Sequence, residues 1–404
     1  MNQTNRYLRT WAEISLDAIE ANVNALRARL APGVKKGSRK KPLLMCVIKA
    51  DGYGHGALPL ARFLDGKCEY YAVAILEEAL TLRAGGIKKP ILLLCYTSPS
   101  QYGILLAAGV AQTIYSLEQA KALSKAAVNA GKQATIHIKV DTGMGRVGFE
   151  DTQDSMEEIV QIARLPGLEI EGLYTHYARA DEADKTSALA QYARFLDFVQ
   201  KLEAAGVSIP LKHACNSAAA MEMNDHFGMV RFGIGLYGLY PSDEVHKENL
   251  SLKPAMSWKT HVAYLKTVPP GTGISYGHTF VTQRETRVAT LPIGYADGYP
   301  RALSNQGHVI IHGQYAPLIG RVCMDQCMAD VTEIPDVCME DEVILLGESG
   351  PCRITMEEIG AMSASFNYET ACRVSKRVPR VYMYKGEAVD FQSVLTTQEQ
   401  FLRL

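Results

Sequence analysis

The sequence predicts an α/β chain with a (β/α)8 barrel as its N-terminal domain and a mostly-β C-terminal domain. Eight short apolar runs alternate with helix-periodic stretches between residues 43 and 239, about two hundred residues, which is the size of a (β/α) barrel. The polar segment LYPSDEVHKENLSLKP at 239–254 then changes the texture, as a proline-bounded linker does. Beyond it, β-rich runs are punctuated by PPGTG, ADGYP and QGH, the turn spacing of a β domain. A doubly wound open sheet gives the same alternation as a barrel, so the strand count supports the barrel without settling it.

In chain order, WAEISLDAIEANVNALRAR at 11–29 reads as a short extended start and then an amphipathic helix. Ile19, Val23 and Leu26 form its stripe and Asp17 lies near its beginning. The eight runs follow: LLMCVIK at 43, YYAVAI at 70, ILLLCY at 91, AQTIYS at 111, TIHIKVD at 135, LEIEGLYTH at 168, LKHAC at 211 and MVRFGIGLYGL at 229. After the linker, HVAYLKTV, TRVATLPIGY, HVIIH, QCMADVTEI and EVILLG are expected strands, with one helix over 354–366. The expected domains are residues 11–249, 250–388 and a tail, 389–404, without assignment.

Composition narrows the function. A chain of 404 residues with 47% hydrophobic content, 21% charge and a net charge of -1 is globular, and has no electrostatic footprint for nucleic acid or a membrane surface. No apolar run approaches the roughly 20 residues that span a bilayer, and MNQTNRYLRT lacks a signal-peptide core, so a cytoplasmic location is expected. The 9 cysteines are scattered, and Cys323 and Cys327 have no companion motif that would complete a zinc site, so no metal is expected. His308 and His312 bracket a strand without forming a ligand pair.

The stretch LLMCVIKADGYGHGA at 43–57 is the most unusual of the chain. A buried run ends abruptly in Lys49, whose amine would be partly desolvated and thus easier to deprotonate into a nucleophile or base. A lone lysine at a strand end is more often a solvated gatekeeper; here it is followed by Tyr53 and His55 among three glycines, which allow close backbone approach to a ligand. In a barrel, function belongs at the carboxyl ends of the strands. Lys49, the DTGMGRVG loop with Arg146, His176, Asn216, Ser217 and the Arg231–Gly233–Ile234 segment all fall there. Arg231 interrupts an apolar strand, which is costly unless its guanidinium is paired or hydrogen-bonded. Taken singly, Ser217 reads as a helix cap and His176 as a core histidine.

VIKADGYGHG resembles the pyridoxal-phosphate attachment motif of bacterial alanine racemases, and the similarity runs from WAEISLDAIEAN to VPRVY at 378–382. The resemblance favours the barrel and implies that Lys49 carries pyridoxal 5'-phosphate. It further implies that Tyr53, Asn216, Ser217, Gly233, Ile234 and Tyr368 serve the phosphate side, that Arg231 faces the pyridine nitrogen, and that His176 lies beside the ring. A guanidinium does not readily give up its proton, so the ring nitrogen would stay unprotonated and the ring would be a weaker electron sink, which favours racemisation over transamination. Arg146 matches a residue on the substrate side, and Lys139 matches a lysine that is carbamylated in some relatives.

Racemisation asks for a base on each face of a planar intermediate. Lys49 would serve one face. GISYGHTF resembles the family segment whose tyrosine, here Tyr276, is the second base and enters from the partner subunit, and Met324 and Asp325 in VCMDQ match partner-supplied substrate contacts. A homodimer with shared active sites is therefore implied, converting L-alanine to D-alanine for peptidoglycan. Two departures bear on substrate breadth: ARADEADKTS after His176, and His278 where many relatives carry arginine. The alternatives are a racemase that also accepts serine, a decarboxylase of the same plan, which would need an acidic residue in place of Arg231, and a non-catalytic cofactor carrier, which would lack the domain bearing Tyr276.

Overall fold

The computed structural model describes residues 8–31 and 41–395, and the chain divides into two compact units. One comprises Ile19–Gly52 and Leu60–Lys253. The other gathers the described residues up to Ala18, the short stretch Tyr53–Pro59, and the chain from Pro254 onward. The opening strand β1 (Thr10–Ser15) belongs to this second unit, although the sequence reading grouped it with the barrel. Nothing local in TWAEIS says which sheet it joins, because its partners, Met256–Thr260 and Arg380–Met383, lie far along the chain.

The first unit is the expected barrel. Its strands are β2 (Leu43–Val47), β3 (Tyr70–Val73), β4 (Ile91–Leu93), β5 (Ala111–Ile114), β6 (Ala134–Asp141), a two-residue β7 (Phe149–Glu150) paired only to β6, β8 (Leu168–Tyr174), β9 (Leu211–His213) and β10 (Met229–Phe232). Eight of them pair in parallel, in the order β10-β2-β3-β4-β5-β6-β8-β9. Two main-chain hydrogen bonds join the ends of this order, Gly228 N–H to Lys212 O at 3.0 Å and Arg231 N–H to Cys215 O at 3.0 Å. Closure of the ring rules out the open doubly wound sheet. β3, β4 and β5 are buried at nearly every residue, as parallel strands covered on both faces must be.

The helices between strands form where sequence supplies a cap and a stripe. Ser116 accepts from Gln119 N–H at 3.2 Å to start Leu117–Asn129, whose Leu117, Ala120, Leu123 and Ala127 are buried. In the helix Leu16–Leu30 the buried stripe is Ile19, Val23, Leu26 and Leu30. The same helix buries Asn22, whose amide donates to Leu236 O and Lys253 O and accepts from Lys253 N–H at 2.8 Å, anchoring the end of the linker.

The second unit is mostly β. Its main sheet runs through Gln314–Pro317, His308–Ile311, Glu342–Ser349, Met256–His261, β1, Arg380–Tyr384 and Glu387–Gln392. A smaller sheet holds Tyr264–Val268, Thr286–Leu291 and Cys327–Asp330. HVAYLKTV thus contributes to two sheets rather than one strand. The helix expected over 354–366 is the shorter Met356–Met362, behind a Thr355–Glu358 capping box; Ala364 at φ 51 ends the run, and a second helix that the sequence reading did not include, Asn367–Arg373, follows. The first residues of the unassigned tail complete the edge strand Glu387–Gln392, and residues 396–404 lie outside the described chain.

Candidate active site

The barrel rim gathers part of what the sequence singled out, with Lys49, Lys139, Arg146 and Arg231 around His176. Ile48 extends β2 by one main-chain bond to Ala72 O, and Lys49 follows it, half-buried. Beyond Lys49 the chain makes a left-handed turn: Ala50, Asp51 and Gly52 have φ of 52, 52 and 63, and Tyr53 has 51. Non-glycine residues enter that region at a cost of roughly 1–2 kcal/mol each, so the turn persists because it is tied down. Gly52 N–H donates to Ile48 O at 2.9 Å, and Ala50 N–H donates to the Glu78 carboxylate at 2.6 Å.

Arg231, in β10, is 4% exposed. Its guanidinium donates to Thr175 O and Ala214 O at 2.9 and 2.8 Å, to His213 Nδ1 at 2.9 Å and to His176 Nδ1 at 3.1 Å. Among the described residues none of these partners is a carboxylate, so the internal ion pair that would explain a buried arginine by structure alone is not what holds it. Arginine can only donate, which fixes every tautomer beyond it. His213 accepts at Nδ1 and so carries its proton on Nε2, which reaches His137 Nδ1 at 2.9 Å. His137 therefore carries its proton on Nε2, which donates to Glu171 at 2.8 Å. Tyr70 donates to the same carboxylate at 3.0 Å. Gly172 leaves room for the His137 ring, since a Cβ there would lie 2.4 Å from His137 Nδ1. Burial, then Arg231, then His137 push His213 well below the usual imidazole range, in keeping with a neutral ring. The hydrogen bond from His137 holds the Glu171 carboxyl below its usual value against burial, keeping it ionised.

His176, after β8, is pushed well below the usual range by burial and then by Arg231, Arg146, Lys139 and Lys49. It is neutral, with Nδ1 turned to Arg231 and Nε2 protonated. Its surroundings are thus cationic. Lys139, buried in β6, donates to Val140 O at 2.7 Å and Val147 O at 3.2 Å, and burial brings its amine down from 10.5 to about 8. Asp141 accepts from Gly143, Met144 and Arg146 N–H at 2.9, 2.7 and 3.0 Å, which folds the loop and leaves the Arg146 side chain exposed. Gln191, from the long helix Thr186–Ala204, donates to His176 O and Thr142 Oγ1 and accepts from Ala178 N–H, strapping the loops after β6 and β8 together.

At β9 the helix cap is Asn216, not Ser217: Asn216 Oδ1 accepts from Ala219 N–H at 2.9 Å. That leaves the Ser217 hydroxyl to accept from Gly233 N–H at 3.0 Å and Gly235 N–H at 3.3 Å, beside buried Ile234. A hydroxyl and a row of main-chain donors in one place suit phosphate oxygens.

In the second unit, the Tyr53 and Tyr368 rings lie 6.3 Å apart, and burial pushes the Tyr53 hydroxyl far up, so it remains a protonated donor. Tyr276 is 71% exposed and begins a single 3-10 turn, Tyr276–His278, after Ser275 at φ 65. Ser275 Oγ donates to Arg321 O at 2.7 Å and lies 3.3 Å from Cys323 Sγ, fastening this turn to the segment that continues into exposed Met324 and Asp325. His308 packs edge-on against Tyr315 and His312 pairs with Asp341.

Sequence reasoning missed His137, His213 and Glu171. A histidine among apolar strand residues reads as core packing, and the only signal was that TIHIKVD and LKHAC both carry one on buried strands.

Comparison with known proteins agrees with this architecture along nearly the whole chain. Residues 14–241 match the family model for the alanine racemase N-terminal domain, and residues 255–382 match the one for the alanine racemase C-terminal domain. Alanine racemase 2 of Caldanaerobacter subterraneus is 45% identical over 388 residues, 96% of this chain and 98% of the relative. The structure of the Clostridium difficile alanine racemase superposes with a TM-score of 0.91 at 40% identity, covering 96% of this chain and 99% of that one. That of the Bacillus anthracis alanine racemase with bound L-Ala-P gives 0.89 at 36% identity, covering 96% and 98%. With both domain models matched in order and the barrel closed, the chain belongs to the alanine racemase family of enzymes.

Proposed function

We propose that the enzyme interconverts L-alanine and D-alanine with pyridoxal 5'-phosphate attached to Lys49, supplying D-alanine for peptidoglycan, and that it works as a homodimer whose Tyr276 serves the partner's site. The observation that carries this reading is the cationic ring of the barrel: Lys49, Lys139, Arg146 and Arg231 all bear on His176, and among the described residues Arg231 has no carboxylate partner. Such a rim suits a ligand bearing a phosphate and a substrate bearing a carboxylate. The cofactor, when bound, supplies an electron sink that acidifies the Cα–H of the attached amino acid.

The chain's own residues supply the rest. Arg231 presents only donors, so a ring nitrogen in front of it has to accept and stay unprotonated, which restrains side reactions that need a stronger sink. This also separates the enzyme from a decarboxylase that places an acid at that position. His176, neutral, would lie beside the ring, and Asn216, Ser217, Gly233 and Ile234 of the barrel would serve the phosphate, with Tyr53 and Tyr368 assigned there by resemblance. Arg146, Met324 and Asp325 would meet the substrate. Lys49 takes or returns the Cα proton on one face and the Tyr276 phenol of the partner subunit on the other.

Replacement of Tyr276 by phenylalanine tests the two-base scheme. With one base left, racemisation followed by circular dichroism should fall by roughly 10²–10⁴-fold, while exchange of the Cα proton of one enantiomer with D2O continues without inversion. Undiminished racemisation in that variant contradicts the assignment. A cofactor absorption band that survives Lys49→Ala contradicts the attachment site.

A further inference from the structure

A second network, not anticipated in the sequence, lies under the Met324 and Asp325 turn. Asp297 has a side chain with 0% exposure and is met by two guanidiniums: Arg9 at 2.5 Å on Oδ1 and 3.1 Å on Oδ2, and Arg377 Nε at 2.7 Å on Oδ1. Gly294 N–H adds a third donor at 3.0 Å. Burial alone would push this carboxyl up; the arginines and Gly294 hold it below its usual range, so it is an anion. Two cations on one buried anion leave a surplus charge, and the surplus is directed outward. With Nε committed to Asp297, the rigid fork of Arg377 aims Nη2 at Asp325 Oδ1, 2.5 Å away, and Asp325 is 55% exposed.

The main chain of the turn rests on the same support. Tyr295 N–H and Ala296 N–H donate to Cys323 O and Met324 O, each at 3.0 Å. The segment approaches so closely that a Cβ at Gly294 would lie 2.3 Å from both carbonyl oxygens. Cys323 N–H closes the turn on Gln326 O at 2.8 Å. Two carbonyls and one amide of the turn are thus held by backbone, and Asp325 between them is tied to the fold through Arg377, so that loss of this tie loosens the middle of the turn.

We propose that Arg377, oriented by the buried Asp297 carboxylate, is a positioning residue for substrate binding: it holds and neutralises Asp325 so that the Met324 and Asp325 turn receives an amino-acid carboxylate without repulsion. This rests on the proposed function, which places that turn against substrate. Arg377 is the residue to change, because Asp297 keeps Arg9 when Arg377 is lost and the fold keeps its buried ion pair.

The test uses the full-length holoenzyme as wild type, R377M, D325N and the double variant. Steady-state kinetics are joined by amide hydrogen exchange of a peptide covering 322–326. R377M should raise KM for alanine about tenfold with kcat changed much less, the loss of one charge-assisted hydrogen bond. The double variant should be no worse than R377M alone, because both changes remove the same contact. Exchange in 322–326 should quicken in R377M and stay at the wild-type rate in the barrel strands. An unchanged KM, penalties that multiply in the double variant, or unaltered exchange in 322–326 would each overturn the inference. A wild-type enzyme that does not racemise alanine would instead overturn the proposed function, and the exchange result would still show whether Arg377 holds the turn.

Discussion

Because Arg231 donates to its Nδ1, His213 has a single usable tautomer, and the direction of every hydrogen bond from Arg231 to Glu171 follows from it. The chain is therefore a one-way array of dipoles whose negative end is a partly exposed carboxylate and whose positive end is a buried guanidinium. Replacing His137 by leucine would leave His213 Nε2–H buried without an acceptor. Urea unfolding should then show a loss of about 1–3 kcal/mol, the cost of one orphaned buried donor. Lys139 gives a second expectation at this scale. In the folded protein its amine loses the proton near pH 8, in the unfolded chain only near 10.5. Between those values the unfolded state binds more protons, so the contribution of this group to stability rises with pH across the window and is lowest below about 8. The neutral amine can also attack carbon dioxide, forming an N–C bond and releasing a proton. A ¹³C-labelled carbamate on the wild type, growing from pH 7 to 9 and missing in Lys139→Gln, is the expected outcome; equal signals in both would contradict it. Lys49 and Arg231 were legible because each interrupts an apolar run. The histidine chain was not, because its members are 34 and 76 residues apart and only strand register joins them.

Among the elements, the turn after Lys49 shows how local backbone serves the site. Five successive residues, Ala50 to Gly54, have positive φ where the chain leaves the end of β2. Ala50, at φ 52, is exposed, so its substitution tests the backbone and little else. Ala50→Gly should leave thermal stability equal or raise it by up to about 1 kcal/mol, net of the freedom glycine adds to the unfolded chain. Ala50→Val should lower it by about 2 kcal/mol, because a β-branched side chain is poorly tolerated there. The opposite order would mean that the turn is not left-handed. GYGHG announced a tight passage, but no residue pattern distinguishes a left-handed turn from a sequence of ordinary ones. The eight barrel strands were legible from their apolar runs and spacing. The division of HVAYLKTV between two sheets was not, since it depends on partners distant in sequence, and the break at Ala364 was not, since no glycine or proline marks it.

For the whole molecule, the exposed Tyr276 and Met324, 71% and 54% accessible in the single chain, are the residues that a shared site would cover. A base that is 71% exposed is poorly placed for proton transfer to Cα, and under the proposed scheme a partner subunit would supply what one chain lacks. Lys49→Ala and Tyr276→Phe homodimers should each be nearly inactive. If each site draws Lys49 from one chain and Tyr276 from the other, exchange of subunits between the two variants creates heterodimers in which one of two sites is intact. With random exchange about a quarter of all sites are rebuilt. Racemisation recovering to about a quarter of the wild-type rate after mixing and dissociation is the result a shared site requires; no recovery, with heterodimers demonstrated by native mass spectrometry, would place both bases on the same chain and contradict it.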